Sequence, residues 1–269
     1  MESLKGKNII VTGAGSGIGQ CAAELLAAQG GRVVLVGRRQ EVLERVASGI
    51  RENGGEAWVC ATHIENKPEV ESLIDWVHQQ LGPVDILVNN AGSASKTLNA
   101  RWIAEEEWEQ VQNVNLKAVF LLTQAVLPDM LGRDGGTIIT VSSLAALRPN
   151  LLGGAAYGAA KAGVRNFMTY LHNTFRNQGI RATSILPGEV NTPIMDNRAN
   201  PPLESIRQQM VQPQDVAEAI LLCATLPPRT VVEELIIAPT WLRDISGDLE
   251  VSRWQGAPPE CRAERAKSL

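Results

Sequence analysis

Tyr157 and Lys161 stand four residues apart in Tyr157-Gly158-Ala159-Ala160-Lys161. On a helix that interval puts both side chains on one face, so a phenol and an ammonium can meet beside a common ligand. A free tyrosine titrates near ~10, and bringing it to neutrality takes about 4 kcal/mol. A positive charge about 4 Å away, at an effective dielectric of about 20, supplies roughly that much. The pair is a candidate general acid and base near neutral pH. Ser142-Ser143 follows an apolar run at 136–141, where a hydroxyl could donate to a carbonyl oxygen as it gains charge. Two small-residue groups complete the set. One is Gly13-Ala14-Gly15-Ser16-Gly17-Ile18-Gly19, a TGxxxGxG spacing with Thr12, and the other is Asn89-Asn90-Ala91-Gly92.

These groups need elements to hold them. Short β-branched runs at 8–12, 32–36, 56–60, 85–88, 136–141, 181–186 and 233–238 alternate with apolar residues at helical spacing near 18–29, 40–53, 68–80, 105–131, 157–178 and 213–225. Gly30-Gly31, Gly54-Gly55, Gly82-Pro83 and Gly135-Gly136 stand where helices should stop. Runs such as Ile86-Leu87-Val88 and Ile138-Ile139-Thr140-Val141 are apolar on both faces, as a sheet covered on both sides requires. The alternation predicts a single doubly wound α/β domain with a parallel, Rossmann-like sheet of about seven strands. The glycine loop then lies between the first strand and the N-terminus of a helix, where free amides and the helix dipole favour a pyrophosphate. The Asn89 group and Ser142-Ser143 both fall at C-terminal strand ends, where such sheets place their ligand crevice.

The ordered set TGxxxGxG, NNAG, Ser and TyrxxxLys resembles the short-chain dehydrogenase/reductase family over roughly residues 6–240. Asn113-Val114-Asn115-Leu116 and Pro187-Gly188-Glu189-Val190-Asn191-Thr192 extend the likeness. The resemblance implies a tetrad of Asn115, Ser143, Tyr157 and Lys161, with Tyr157 exchanging a proton at the substrate oxygen while hydride passes to or from a nicotinamide. It implies that Lys161 holds the nicotinamide ribose, that Asn115 supports a water leading to Lys161, and that Val190 and Thr192 meet the carboxamide. The coenzyme contacts it implies are Gly13, Ser16, Gly17, Ile18, Gly19, Ile64, Asn89, Ala91, Gly92, Tyr157, Lys161, Pro187, Gly188, Val190 and Thr192. His63 stands where the family commonly has an Asp for the adenine amino group. Ser143 lies 14 residues before Tyr157 where 13 is usual, which one extra residue in Leu151-Leu152-Gly153-Gly154 would explain. The family also implies a homodimer or homotetramer, through the helices near 105–131 and 157–178.

Val36-Gly37-Arg38-Arg39 ends the second strand without an acidic residue to hold a 2'-hydroxyl, and a basic one can bind a 2'-phosphate. NADP is expected over NAD, with Arg38 as the contact. The substrate pocket should draw on 93–102, 144–156 and 194–210, whose residues suit an apolar ketone or alcohol and a larger acidic carbonyl compound alike. An enoyl reductase, a lyase or epimerase, a nucleotide-binding regulator and a methyltransferase are the alternatives, the last disfavoured by the TyrxxxLys helix.

With 25 basic and 29 acidic residues in 269, the chain has no electrostatic footprint for nucleic acid. Its apolar runs are broken by Gly, Lys or Arg short of the ~18 residues that span a bilayer. The first residues lack a secretory pattern, so a cytoplasmic protein is expected. Cys21, Cys60, Cys223 and Cys261 are scattered, and with three histidines there is no metal-ligand spacing. Beyond residue 240 the pattern fades into a charged extension, 241–269, carrying Trp241 and Trp254. Packing on the domain, packing on a partner, or a loose tail all fit it.

Overall fold

Each predicted β-branched run forms a strand: β1 (Asn8–Thr12), β2 (Arg32–Gly37), β3 (Glu56–Ala61), β4 (Ile86–Asn89), β5 (Gly136–Val141), β6 (Ile180–Pro187) and β7 (Glu234–Ile237). The computed structural model describes all residues except 1, 2, 199 and 262–269. The strands lie in the order β3-β2-β1-β4-β5-β6-β7, with every pairing parallel. The helices are α1 (Gly17–Ala28), α2 (Gln40–Glu52), α3 (Lys67–Gln80), α4 (Glu105–Gln112), α5 (Ala118–Leu131), α6 (Ala155–Phe175), α7 (Glu204–Arg207), α8 (Pro213–Thr225) and α9 (Ser246–Trp254).

Side chains alternate along each strand, and both faces are covered. Ile9, Val11, Val33 and Leu35 pack with Leu26 of α1, Leu43 of α2 and Ile220 of α8. Ile10, Val34, Val36 and Leu87 pack on the other face with Leu73 of α3, Leu122 of α5 and Met168 of α6. Each fully buried Leu or Ile contributes about 1.5–3 kcal/mol relative to exposure, which holds the layers in register. The chain builds β1, β2 and β3 outward and then returns to lay β4 against β1. That reversal opens a crevice at the C-terminal ends of β1 and β4, where Gly13 and Asn89–Gly92 begin.

Four points refine the reading from sequence. The helix near 105–131 is continuous but contains a π-helical segment, Asn113–Lys117, whose wider turn is a device found often at functional sites. This helix is long and apolar enough to cross a bilayer, contrary to the reading of broken apolar runs. Val119, Leu122, Val126 and Met130 on it are buried against the sheet, which accounts for its composition. The stop expected at Gly135-Gly136 falls earlier, at Leu131 with Gly132 as the C-cap; Asp134 in the following turn takes the left-handed conformation (φ 50°), and Gly136 already belongs to β5. Finally, the described part of the extension, 241–261, forms α9 and packs on the domain, as the contacts of Arg243 with Glu189 and of Arg253 with Asn99 and Trp102 show.

Candidate active site

The glycine loop is shaped by two close approaches. Gly13 has φ 65°, and a Cβ there would stand 2.9 Å from both Ala91 Cα and Asn90 Nδ2. A Cβ on Gly19 would stand 2.3 Å from the Gly13 carbonyl oxygen. Thr12 ties the two loops together, since its Oγ1 accepts from the Asn90 and Ala91 amides, each at 3.0 Å. Asn90 returns a bond from Nδ2 to the Thr12 carbonyl at 2.9 Å. Ser16 caps α1 without a side-chain hydrogen bond, and no acidic residue sits in the first turn. The arrangement fits a dinucleotide: a cradle without side chains facing an uncompensated helix N-terminus.

The cleft around it has a volume of about 1110 Å³. Gly13, Ser16, Gly17, Ile18, Arg38, Ile64, Ala91, Gly92, Pro187, Gly188, Val190 and Thr192 all line it. Arg39 does too, beside Arg38, and both are exposed. Gly19 lies beneath the loop. Asn89 is buried in the sheet, its Nδ2 donating to Thr140 Oγ1 at 3.4 Å and its Oδ1 without a partner. His63 does not line the cleft. Its amide and ring both turn to the Glu69 carboxylate, at 2.7 and 3.1 Å, and Thr62 and Glu65 flank Ile64 on the cleft wall instead. Thr12 and Asn90 are structural residues of this site that the motif reading did not assign. Their signal was their place at two adjacent strand ends.

At the other end of the cleft the two serines separate. Ser142 is buried and donates to the Lys161 carbonyl at 3.0 Å, fixing α6 against β5. Ser143 faces the cleft beside Tyr157, and its hydroxyl accepts from the Ala145 amide at 3.1 Å. Burial pushes the Tyr157 phenol above its ordinary value, while the nearby Ser143 hydroxyl and the Arg198 charge pull it down less strongly. Lys161 is 3% exposed, and burial lowers its amine to about 8. Its Nζ donates to the Val141 carbonyl at 2.9 Å and lies 5.6 Å from the Tyr157 ring centroid. The expected lowering of the phenol by Lys161 is therefore not what the geometry provides. Tyr157 is held protonated.

Asn115, in the π segment, is fully buried. Its Nδ2 donates to the Ser93 and Val111 carbonyls, both at 2.9 Å, and its Oδ1 accepts from the Ser93 amide. A Cβ on Gly92 would meet Asn115 Oδ1 at 2.8 Å and Lys161 Nζ at 3.5 Å, so the three sit against one another.

Opposite Tyr157, the predicted wall segments contribute Leu98, Arg148, Leu152, Ile194 and Met210, whereas Trp102 and Leu151 do not line the cleft. Residues 238–243 and α9 add the roof, with Trp241, Leu242, Arg243, Asp248 and Ser252 lining it. Arg243 bonds Glu189 through Nε and Nη2, both at 2.9 Å, and also bonds Asp248. Arg198 pairs with the same Glu189. Burial works to raise the Glu189 carboxyl, and the two guanidiniums overcome it, holding the group below the usual carboxylate range. On the far side, Asn99 Nδ2 and Trp102 Nε1 both donate to the Arg253 carbonyl, at 2.9 and 3.1 Å. The roof is thus fastened to both walls.

Parallel topology, glycine cradle and crevice together are those of a dinucleotide-binding α/β enzyme. The chain belongs to the short-chain dehydrogenase family, whose model matches residues 7–202. It is similar to an uncharacterised oxidoreductase of Staphylococcus aureus, 35% identical over 241 residues, covering 89% of this chain and 100% of the relative. Among solved structures it is similar to a metagenomic short-chain oxidoreductase in complex with NADP, with TM-score 0.78, 32% identity, and 90% of this chain and 100% of the other covered. It is also similar to actinorhodin polyketide ketoreductase with NADPH, with TM-score 0.81, 30% identity, and 89% and 98% covered. The protein is an NAD(P)-dependent oxidoreductase.

Proposed function

We propose that the protein transfers hydride between NADP(H) and a ketone or secondary alcohol, with Tyr157 exchanging the proton at the substrate oxygen. The observation that carries this is the corner where Tyr157 and Ser143 line the same cleft wall, with Lys161 buried one helical turn along. When bound, the nicotinamide supplies or takes up the hydride. Ser143 orients the substrate oxygen. The phenol of Tyr157 is the proton donor to that oxygen in carbonyl reduction, and its phenolate is the acceptor in the reverse reaction. Lys161, charged below a pH of about 8, holds the ribose hydroxyls. Val190 and Thr192 face the carboxamide. Asn115 keeps Gly92 and Ser93 in place beside Lys161.

NADP is the coenzyme of this reading. Arg38 and Arg39 follow β2 with no acid between them, and the similar solved structures hold NADP or NADPH. The reading includes self-association through the exposed aromatic face of α5 and α6. Replacing Tyr157 with Phe tests the chemistry: carbonyl reduction should fall by about 100- to 10,000-fold while NADPH still binds, as followed by coenzyme fluorescence. An unchanged rate would remove Tyr157 from the reaction.

A further inference from the structure

Four charged side chains form a row along one wall of the substrate half of the cleft: Asp248, Arg243, Glu189 and Arg198, each paired with the next. Exposure rises along it. The side chains of Asp248 and Arg243 are each 7% exposed, and those of Glu189 and Arg198 are 26% and 25%. The buried end is doubly secured, because Asp248 also accepts from Asn200 Nδ2. Glu189 receives two hydrogen bonds from Arg243 and one from Arg198, so its charge is spent mainly on Arg243. Although neutral in sum, the row is polarised. Its open end is a guanidinium with less than a full counter-charge, and that end faces the cleft.

The position of this cation matters. Arg198 lies near enough to Tyr157 for its charge to act on the phenol. Its contact with Glu189 uses Nη1, leaving Nε and Nη2, the two donors of the fork that matches a carboxylate. The rest of this half of the cleft adds Lys96 and Arg148, both exposed, and among the described residues the carboxylates lining it are Glu189 and Asp248, both engaged by Arg243. Positive charge is thus gathered here in a chain whose net charge is -4. Ser95, 8% exposed, lines the same half with its Oγ unpartnered.

We propose that Arg198 is a specificity-determining residue that receives a carboxylate of the substrate, so that the preferred substrates are oxo acids and hydroxy acids rather than neutral ketones and alcohols. This rests on the reading of Tyr157 as the proton donor and adds which molecules reach it. A monoanion suits the site better than a phosphate dianion, since only one guanidinium in the row is under-compensated. Glu189 and Arg243 act as positioning residues, holding Arg198 toward Tyr157 by a brace that ends in the roof.

The test pairs acids with their methyl esters: 4-formylbenzoate, levulinate and acetoacetate, each against the ester, assayed for NADPH oxidation and for binding to NADP⁺-loaded protein by calorimetry. One charge-assisted pair predicts about a 10- to 100-fold preference for the acid in at least one pair, carried mainly by KM. Arg198→Met should reduce that preference to within about threefold, and Arg198→Lys should restore part of it. Equal handling of acid and ester in all three pairs would overturn the proposal. So would an Arg198→Met protein, stable by thermal melt, that loses acid and ester turnover in proportion, since that pattern belongs to a general effect on the phenol. If no carbonyl compound is reduced, the oxidoreductase chemistry proposed for Tyr157 fails separately. Calorimetry still decides the anion site, because binding needs no turnover, and heats that do not favour the acid would refute it.

Discussion

Lys161 carries its amine where 3% of the residue reaches solvent, and burial brings that amine from 10.5 to about 8. A downward shift of this size means that keeping the ammonium inside the fold costs about 3 kcal/mol below pH 8. The sign follows from linkage: between about pH 8 and 10.5 the unfolded chain binds more protons, so the penalty fades as pH rises through that window. Lys161→Met should therefore raise the melting temperature at pH 7 by about 5 °C, after allowing about 1 kcal/mol for the lost bond to the Val141 carbonyl. Melting curves at pH 7 and pH 10 should show the gain shrinking at the higher pH. Arg38 carries a different prediction. Arg38→Asp should reverse the ratio of NADPH to NADH efficiency by about 10- to 1000-fold, because it removes a charge-assisted contact and adds a repulsive one. An unchanged ratio would take Arg38 out of coenzyme choice.

At the scale of elements, the roof formed by residues 238–243 and α9 is the piece with most at stake. Arg243 is raised in pKa by its bonds to Glu189 and Asp248 and stays charged at any accessible pH. Arg243→Met would leave both carboxylates without their main partner in a poorly solvated site, at a cost of about 3–5 kcal/mol, measurable by urea denaturation. The sheet and the glycine cradle were legible in the sequence because they are local: strand periodicity, TGxxxGxG and TyrxxxLys each lie within one or two consecutive elements. The roof was not legible. Arg243, itself held by Asp248, meets Glu189 across more than fifty residues of chain, and no periodicity marks them. Ser142 and Ser143 were indistinguishable as letters, and the strand's alternation separates them by turning one inward and the other to the cleft. His63 was misplaced for a similar reason, since its partner Glu69 lies on the next helix and outweighs any pull toward the cleft. The letters Asn113-Val114-Asn115-Leu116 marked the π segment as a motif but gave no sign of its wider turn. It brings Asn115 inward within a helix whose composition reads as continuous.

Across the whole molecule, α5 and α6 leave an aromatic group outside. Phe120 and Tyr170 are 43% and 55% exposed, and Phe167 touches both, edge-on to Phe120 at 6.2 Å and stacked on Tyr170 at 6.4 Å. Neighbouring exposed rings of this kind are what an association surface requires. The chain is expected to run as an oligomer in light-scattering chromatography, and the double variant Phe120→Glu, Tyr170→Glu should shift it toward the monomer. Because both side chains are exposed, the monomer's own stability should change little. A wild-type monomer at micromolar concentration would rule the surface out.

The roof has a further consequence for the order in which the molecule comes into being. On the ribosome, the sheet is finished in sequence at Ile237, and the segment that fastens to Asn99, Trp102 and Glu189 emerges only afterwards. The coenzyme cradle at Gly13 can therefore mature first, while the chamber that selects the other reactant acquires its shape from residues 238–254, made after the sheet is complete. A nascent chain halted at residue 240 would be a nucleotide binder with an unfinished choice of substrate.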